Sequence, residues 1–361
     1  MGEPFKNQLN EKVVEGISDE ISKLFPAFDR NEFKKKVFNS EWEQKELKQR
    51  FRHISVTLND VLGLGYIETL ELFKKISGKL GTWAEFILPD YVEVFGLNHF
   101  NESMQALEIF TQYSTGEFAV RPFLIKYPDK VMAQMLKWSK HKNHHVRRFS
   151  SEGSRPRLPW GLGVPWLKKD PSKIIPILEN LKNDKSEYVR KSVANNLNDI
   201  SKDHPELVLN LSKKWMGKTK EIDWIVKHGC RTLLKKGNKH ALALFDISKS
   251  IRFKITNFCL ELQEIQIGNY THFSFDIELA EKSARQLRLE YKIYFVNASG
   301  GYSEKIFKIS EKTVRSGTVI NIKRKISFVN LTIRTHFPGK HKLSLVVNGN
   351  EADMMEFYLI V

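Results

Sequence analysis

Residues 144–160 contain several side chains that could act in binding or catalysis. Five arginine or histidine side chains precede Pro156, and a single carboxylate, Glu152, lies among them. The segment ends at an indole, Trp160. Neither a hydrophobic core nor solubility requires a lone carboxylate in so cationic a segment. This mixture therefore indicates a site, and a cationic or sugar-like group would suit it as a target.

Two further carboxylates, Glu117 and Asp199, combine with Glu152 and Trp160 into a candidate catalytic set. Hydrolysis of an N-glycosidic bond passes through an oxocarbenium-like state, and carboxylates can stabilise that charge and orient a water. An indole face attracts cationic or polarised groups. A base that alkylation has already made cationic leaves without a general acid. The set therefore suits such a reaction, and a lysine nucleophile is not required.

A structural role remains open for each of these residues. Glu152 could form a surface pair with Arg148 four residues earlier, worth only about 0.3–0.5 kcal/mol. Asp199 could be a polar residue at a helix end, and Glu117 a helix N-terminal residue favoured by the helix dipole. Trp160 could be a core aromatic at a repeat junction. The same core position is assumed for three other tryptophans: Trp138, Trp215 and Trp224.

The segments that would position these residues are predicted to be helical. From about residue 8 to residue 247, apolar residues recur every three or four positions, which is typical of helices. Three helices are expected to begin near Pro128, Pro171 and Pro205, because proline is tolerated in a first helical turn. The first of these helices is expected to end at about His141.

Each of these helices is followed by a second one, and the second helices resemble one another. Their related segments, residues 146–149, 189–192 and 225–228, lie 43 and then 36 residues apart, which favours HEAT-like helical pairs. The second helix of the first pair is expected to end at Pro156. A helical wheel predicts one buried side, formed by these residues: Val146, Phe149, Val189, Val193 and Ile200.

The opposite side of each second helix is polar and would line the groove of a helical solenoid. One column consists of Arg148, Lys191 and Lys227. The adjacent column consists of Glu152, Asn195 and Arg231, with Asp199 one turn beyond Asn195. Such a groove suits a phosphodiester backbone, although these faces could equally be ordinary solvated helix surfaces.

The overall charge favours a polyanionic partner. Lys and Arg outnumber Asp and Glu by 58 to 42, which gives a net charge of +16, and nucleic acid is the first candidate. A basic surface that only aids solubility is the alternative. The N-terminus lacks a signal-peptide pattern and no apolar run approaches a membrane span, so we expect a soluble, intracellular protein without a membrane partner.

Metal and cofactor sites are not predicted. Cys230 and Cys259 lack a second ligand pair, and we expect both to be reduced, buried thiols. His141, His144 and His145 lie close together, but a metal site would also need convergent carboxylates or thiolates.

Near residue 250 the pattern changes to alternating apolar and polar residues, as in residues 273–279 and 287–294. Turn signals at Gly300-Gly301, Pro338-Gly339 and Asn348-Gly349 separate strands at roughly ten-residue spacing. This pattern predicts an all-β, immunoglobulin-like sandwich after the all-α HEAT-like region. We place the domains at residues 1–248 and 249–361.

Three segments resemble the AlkC branch of the AlkC/AlkD DNA glycosylases. They are VRRFSSEGSRPRLPWG at 146–161, YVRKSVANNLNDIS at 188–201 and EFAVRPF at 117–123. The resemblance covers essentially the whole chain, because one AlkC subgroup carries a C-terminal immunoglobulin-like domain. It implies a monomeric, cofactor-free enzyme of the bacterial cytoplasm and nucleoid. It also implies excision of 3-methyladenine and 3-methylcytosine from double-stranded DNA without base flipping.

Carried over by position, the resemblance places Glu117, Glu152, Trp160 and Asp199 around the deoxyribose of the lesion. DNA contacts are expected from nine basic residues: His144, His145, Arg147, Arg148, Arg155, Arg157, Lys191, Lys227 and Arg231. The immunoglobulin-like domain would grip and bend the DNA through the turn at Gly300-Gly301 or through basic loops at residues 323–325 and 336–342, although these segments could equally be ordinary solvated hairpins. A non-enzymatic HEAT-repeat scaffold that binds nucleic acid or protein is the alternative function.

Overall fold

The computed structural model describes residues 4–331 and 334–361. Helices occupy the chain as far as Leu244, and strands begin at Phe253, which confirms the predicted all-α region followed by a β-sandwich. The helices are α1 (Glu11–Leu24), α2 (Arg30–Val37), α3 (Leu47–Leu62), α4 (Tyr66–Ile76), α5 (Ile87–Phe95), α6 (Phe100–Phe110), α7 (Arg121–Lys126), α8 (Pro128–Trp138), α9 (His144–Gly153), α10 (Pro165–Lys169), α11 (Ile175–Leu181), α12 (Glu187–Ile200), α13 (Pro205–Trp215), α14 (Lys220–Gly229), α15 (Arg231–Lys235) and α16 (Lys239–Leu244). Short 3-10 helices lie at Phe5–Gln8, Trp42–Gln44, Ala84–Phe86 and Ser172–Ile174.

The prolines begin helices as predicted. Helices α8 and α13 start at Pro128 and Pro205. Near Pro171 the chain first makes the 3-10 turn Ser172–Ile174 and then enters α11. Helix α8 ends at Trp138, earlier than expected, where the Ser139 hydroxyl donates to the Leu136 carbonyl at 2.7 Å.

The 43-residue repeat has a direct structural counterpart. Arg147 on α9 donates through Nη1 to the carbonyls of residues 141 and 142, at 2.9 and 2.8 Å. Arg190 on α12 donates through Nη1 to the carbonyls of residues 184 and 185, at 2.8 and 2.9 Å. Each arginine therefore satisfies loop carbonyls that precede its own helix.

The predicted buried side of the second helices is confirmed by five fully or nearly fully buried residues: Val146, Phe149, Val189, Val193 and Ile200. Trp138 and Trp215 are buried as predicted. The prediction for Trp224 is wrong, because its side chain is 41% exposed and stacks on His228 with ring centroids 5.0 Å apart.

The strands are β1 (Phe253–Leu260), β2 (Glu264–Gln266), β3 (Tyr270–Leu279), β4 (Arg285–Val296), β5 (Tyr302–Val314), β6 (Val319–Ser327), β7 (Gly339–Val347) and β8 (Asn350–Ile360). They form a three-stranded sheet in the order β1-β3-β6 and a five-stranded sheet in the order β2-β8-β7-β4-β5. The alternating residues predicted to be buried, such as Phe273, Phe275, Leu287 and Leu289, form the core between them. The predicted turn at Asn348-Gly349 is confirmed, with positive φ at both residues.

Three details of the β region differ from expectation. Residues 323–325 belong to strand β6 and are not a loop. Of the basic loop expected at residues 336–342, residues 339–342 belong to strand β7. Cys259 is exposed, although Cys230 is buried as predicted. The pairing of β1 with β3 shifts between Thr256 and Cys259, and Asn257 has a φ of +54°, so the strict alternation that predicted burial is interrupted there.

Packing divides the chain into two compact units. The first runs to Val208 and includes Trp215–Gly229, and the second contains Leu209–Lys214 and Cys230–Val361. The domain limit at residues 248 and 249 stays a prediction. Among the described residues, no helix has the length and apolar character needed to cross a membrane.

Protonation of His336 is expected to destabilise the second unit. This side chain is buried beside the rings of Phe295 and Phe328, and burial together with the charge of Arg334 lowers its pKa from 6.5 to about 4. Because the folded-state pKa is depressed, the stabilisation is present above pH 6.5 and is lost as the pH falls towards 4. We expect the free energy of unfolding to lose up to about 3 kcal/mol in that window.

Urea denaturation at pH 7 and pH 4.5 checks this expectation. His336→Phe should reduce the pH-dependent difference, whereas His240→Phe, at an exposed position on α16, should keep it in full. An unchanged pH dependence in His336→Phe would rule out this histidine as the cause.

Candidate active site

Five residues, drawn from the predicted catalytic set and the predicted DNA-contacting set, form a continuous row of alternating charge, here called the charged row: Glu117, Arg148, Glu152, Arg155 and Asp199. Arg148 binds Glu117 through both Nη atoms, at 2.8 and 3.2 Å, and its Nη2 lies 3.7 Å from Glu152 Oε1. Arg155 Nη1 donates to Glu152 Oε1 at 2.6 Å, and its Nε donates to Asp199 Oδ2 at 2.7 Å. The structure thus brings the three predicted carboxylates together through two arginines.

Three segments supply the charged row. Arg148 and Glu152 lie one turn apart on α9, Asp199 lies in the last turn of α12, and Glu117 comes from the turn before α7. Helix α9 ends at Gly153, before the predicted Pro156. A Cβ at Gly153 would lie 2.9 Å from a Met135 methyl group, so the packing there is close and a larger residue would displace the Met135 side chain. Because the helix has already ended, the Arg155 side chain can reach α12.

Hydroxyl groups complete the contact between α9 and α12. Ser192 donates to Glu152 Oε2 at 2.6 Å, and its Oγ lies 3.0 Å from Ser151 Oγ. Lys202 donates to the second oxygen of Asp199 at 3.2 Å. Glu152 and Asp199 are therefore held by several donors each, which fixes the direction of their remaining lone pairs.

The carboxylates of the charged row are buried. Asp199 is 2% exposed, and Glu117 and Glu152 are nearly as buried. Burial raises the pKa of Glu117, and the charge of Arg148 opposes that shift. Buried carboxylates without partners would be strongly destabilising, so the two arginines keep the site both folded and charged.

Glu117 and Arg148 line a cleft of about 530 Å³, together with Trp160. Its walls are largely aromatic: Phe51, Trp83, Phe86, Tyr113, Phe118 and Tyr188. The guanidinium carbon of Arg148 lies 4.9 Å from the centre of the Tyr188 ring. Glu152 and Asp199 do not line the cleft and connect to it through the charged row. A planar group, above all a cationic one, would find aromatic faces and a carboxylate in the same place.

Trp160 is the most exposed of the seven tryptophans, at 71%, so the core interpretation of this residue is wrong. Its φ of +61° lies in the left-handed region, which costs a residue with a Cβ about 1–2 kcal/mol. A strained and exposed aromatic at the edge of a charged cleft is typical of functional positions.

Within residues 4–331 and 334–361, no cluster of three or more His, Cys, Asp or Glu side chains could hold a metal ion.

Among the arginines predicted to contact DNA, four make ion pairs within the protein: Arg147, Arg148, Arg155 and Arg157. Arg147 binds Asp184 at 2.5 and 2.9 Å, and Arg157 binds Asp203 at 2.6 and 3.0 Å. Arg155, which is buried between two carboxylates, is better placed to position them than to reach a phosphate. Phosphate contacts from these residues stay predictions.

The remaining predicted DNA-contacting residues lie on the second helices or directly after them. His144 is exposed at the start of α9, and its ring centroid is 4.2 Å from that of the half-buried His145. Lys191 on α12 is exposed and pairs with Glu187 at 2.7 Å. Lys227 on α14 and Arg231 at the start of α15 are both half-buried.

Sequence patterns did not reveal the cleft residues that come from the N-terminal helices. Lys48, Trp83 and Phe86 come from segments before residue 114 that show no repeat relation to the second helices. The short aromatic cluster around Trp83 was the available signal, but periodicity alone cannot assign such residues to a cleft or to a core.

Arg121 holds the loop that carries Trp160. It is fully buried and donates to the carbonyls of Leu162, Gly153 and Arg155 at 2.8, 3.0 and 2.7 Å. Burial, together with the charge of Arg155, lowers its pKa to about 10, so it remains cationic at neutral pH.

Replacement of Arg121 by Met is expected to lower the free energy of unfolding by about 3 kcal/mol, because buried carbonyls lose their donors. Urea denaturation measures this loss. Arg30→Met removes an arginine whose partner, Asp19, is on the surface, and it should cost less than about 1 kcal/mol. Equal losses in both variants would contradict a structural role for the buried arginine.

Comparison with known proteins identifies the family. Residues 114–233 match the family described as DNA alkylation repair enzyme. Residues 254–361 match the family described as uncharacterised protein YhaZ, C-terminal Ig-like domain.

Two relatives match nearly the whole chain. The protein YhaZ of Bacillus subtilis (strain 168) is 44% identical over 352 residues, which cover 98% of each chain. The structure of the Pseudomonas fluorescens alkylpurine DNA glycosylase AlkC, bound to DNA containing an abasic site analog, is 36% identical with a TM-score of 0.93. That match covers 99% of this chain and 100% of AlkC. The chain therefore belongs to the AlkC-like family of DNA alkylation repair proteins with a C-terminal YhaZ immunoglobulin-like domain.

Proposed function

We propose that this protein is a monofunctional DNA glycosylase that hydrolyses the N-glycosidic bond of cationic alkylated bases, 3-methyladenine and 3-methylcytosine, in duplex DNA. The observation that carries the proposal is the convergence of Glu117, Arg148 and Trp160 on one cleft, with Glu152 and Asp199 connected behind it. These residues belong to a chain that matches a DNA-bound glycosylase along its whole length.

The chemistry follows from the charge that develops on the sugar. As the C1′–N bond breaks, electrons move to the cationic base, which leaves neutral, and positive charge forms on the deoxyribose. Glu117, which lines the cleft, stabilises that charge together with Glu152 and Asp199 behind it. Asp199 or Glu152 helps to place the attacking water, whose proton passes to solvent or to a carboxylate. The indole of Trp160 adds attraction to the polarised C–H edges of the sugar. No general acid is needed, because the leaving base already carries its positive charge.

DNA binding relies mainly on phosphate contacts. The net charge of +16 and the exposed His144 and Lys191 favour attraction to the backbone. Bending the duplex is costly, and contacts from the immunoglobulin-like domain would offset that cost. The turn at Gly300-Gly301 is the candidate for these contacts.

A base-release assay tests the proposal. Purified protein is incubated with methylated duplex DNA, and free bases are quantified by chromatography. We expect release of 3-methyladenine and 3-methylcytosine, with unmodified DNA as the control. If the folded protein releases no methylated base, the proposal is overturned.

Bulky adducts on a cationic base should also be released, because a mechanism without base flipping requires no tight base pocket.

A non-enzymatic scaffold is the second candidate. One observation favours it: every carboxylate of the charged row already forms an ion pair within the protein, as a purely structural carboxylate would. Variants that lose release but retain DNA binding would separate the enzyme from the scaffold.

The activity should fall at acidic pH through protonation of Glu117. Burial raises the pKa of this carboxyl above its ordinary value of 4.5, so its negative charge is lost at a higher pH than in an exposed glutamate. We expect single-turnover release to decline on the acidic side with an apparent pKa above 4.5. Glu117→Gln should be slow and should lack this acidic decline. The same decline in both proteins would show that another group controls it.

A further inference from the structure

The loop that carries Trp160, residues 154–164 between α9 and α10, must be held by contacts other than burial of the indole. The indole is 71% exposed, and the backbone of Trp160 is in the left-handed region at a φ of +61°. This conformation is unfavourable for a residue other than glycine, and the exposed ring cannot compensate for it. A specific contact is therefore needed to keep the indole at the cleft.

Arg121 fixes the two ends of this loop and leaves its tip to another group. Its bonds to the carbonyls of Gly153 and Arg155 lie before the tip, and its bond to Leu162 lies after it. At the tip, the Gly161 amide donates to the Leu158 carbonyl at 3.2 Å, which closes only a local turn.

Lys48 supplies a long-range contact to the tip. It lies in the first turn of α3, and its Nζ donates to the Trp160 carbonyl at 3.0 Å. The same ammonium group lies 4.6 Å from the centre of the Phe118 ring, directly after Glu117 in the chain. Lys48, Phe118, Glu117 and Trp160 all line the same cleft. One cation therefore connects the turn that holds Glu117 with the residue that presents the indole.

We propose that Lys48 is a positioning residue that holds the Trp160 indole beside Glu117 in the orientation needed for base release. The effect on catalysis rests on the proposed glycosylase function, whereas the effect on the indole does not. An exposed lysine at a cleft could instead bind a DNA phosphate directly, and the two roles differ in their measurable consequences.

A double-mutant cycle distinguishes them through the single-turnover rate of 3-methyladenine release. We expect Lys48→Met to slow release about tenfold, and Lys48→Arg to retain most of the rate. Because Lys48 acts through Trp160, Lys48→Met should cause no further loss when it is added to Trp160→Ala. Multiplicative losses in the double variant would overturn the proposal, as would an unchanged rate in Lys48→Met.

The salt dependence of DNA affinity provides the second criterion. Lys12→Met, at an exposed position of α1 outside the cleft lining, removes the same charge and serves as the control. A positioning role predicts equal salt dependence in Lys48→Met and Lys12→Met. A slope of log Kd against log salt that is reduced by about one in Lys48→Met alone would identify a phosphate contact and overturn the proposal.

Fluorine NMR makes the test independent of catalysis. The protein is labelled with 5-fluorotryptophan, and among its seven tryptophan signals that of Trp160 is assigned by its disappearance in Trp160→Phe. In Lys48→Met the Trp160 signal should shift or sharpen while the signals of buried Trp138 and Trp215 remain in place. An unmoved Trp160 signal would exclude the contact even if release is normal. If the Trp160 signal moves but the protein releases no base, the contact with Lys48 is supported and the glycosylase proposal is rejected.

Discussion

Asp199→Asn should lower the single-turnover rate of 3-methyladenine release on the order of a hundredfold or more, while the Kd for the same duplex changes less than about threefold. The amide has nearly the same size, but it carries no negative charge to stabilise the oxocarbenium-like sugar. It can still accept the hydrogen bond from Arg155 Nε, which spans 2.7 Å in the native protein. The fold should therefore survive the change, and the loss should appear in the chemical step.

Asp129→Asn is the matched control, because it makes the same change in an exposed ion pair between Asp129 on α8 and Lys173 in the 3-10 helix Ser172–Ile174. We expect release and affinity to remain as in the native protein. An Asp199→Asn variant with normal release would remove this carboxylate from the mechanism. Parallel losses of release and affinity would favour the non-enzymatic scaffold.

Arg155→Met should lower the free energy of unfolding by about 3–5 kcal/mol and should also abolish release. Arg155 bridges two buried carboxylates, with 2.6 Å from its Nη1 to Glu152 and 2.7 Å from its Nε to Asp199. Its removal leaves two negative charges close together in a poorly solvated place, with only hydroxyl and lysine donors and the more distant Arg148 guanidinium, 3.7 Å from Glu152. Urea denaturation at neutral pH measures the loss.

Arg157→Met is a control only two residues away. Arg157 forms a comparable ion pair with Asp203, at 2.6 Å, but both partners are substantially exposed to solvent. Solvent screening limits such a pair to about 0–1 kcal/mol, so this variant should unfold nearly as the native protein does. Similar losses for both arginines would contradict the importance of the buried charged row.

Local spacing predicted the second helices and the side chains that they share. Val146 and Val189 lie 43 residues apart and both are buried, because the same helical position of successive repeats faces the same core. The carboxylates Glu152 and Asp199 were selected from the polar faces of these helices and through the family resemblance, and in the structure both bind Arg155. Their roles in the reaction stay predictions.

Contacts that depend on where a helix ends were not predictable in the same way. The periodic pattern suggested a helix up to Pro156, but α9 ends at Gly153, and this earlier end allows Arg155 to turn towards α12. The i,i+4 pair of Arg148 and Glu152 exists at 3.7 Å, yet Arg148 binds Glu117 more closely, at 2.8 Å. Sequence spacing alone could not reveal this preference.

The wall formed by Lys48 and Trp83 depends on tertiary packing. Lys48 and Trp160 are 112 residues apart, and no repeat or helical period relates them. Trp224 and Cys259 were wrongly assigned to the core, since the type of an apolar residue favours burial but does not determine it.

The most direct test of the glycosylase proposal uses a duplex oligonucleotide with one 3-methyladenine at a defined position. After incubation with excess protein, mass spectrometry of the strand and of the released base identifies the reaction products. The proposal predicts free 3-methyladenine and an intact strand in which water has replaced the base. An unchanged strand that remains bound to folded protein would contradict it.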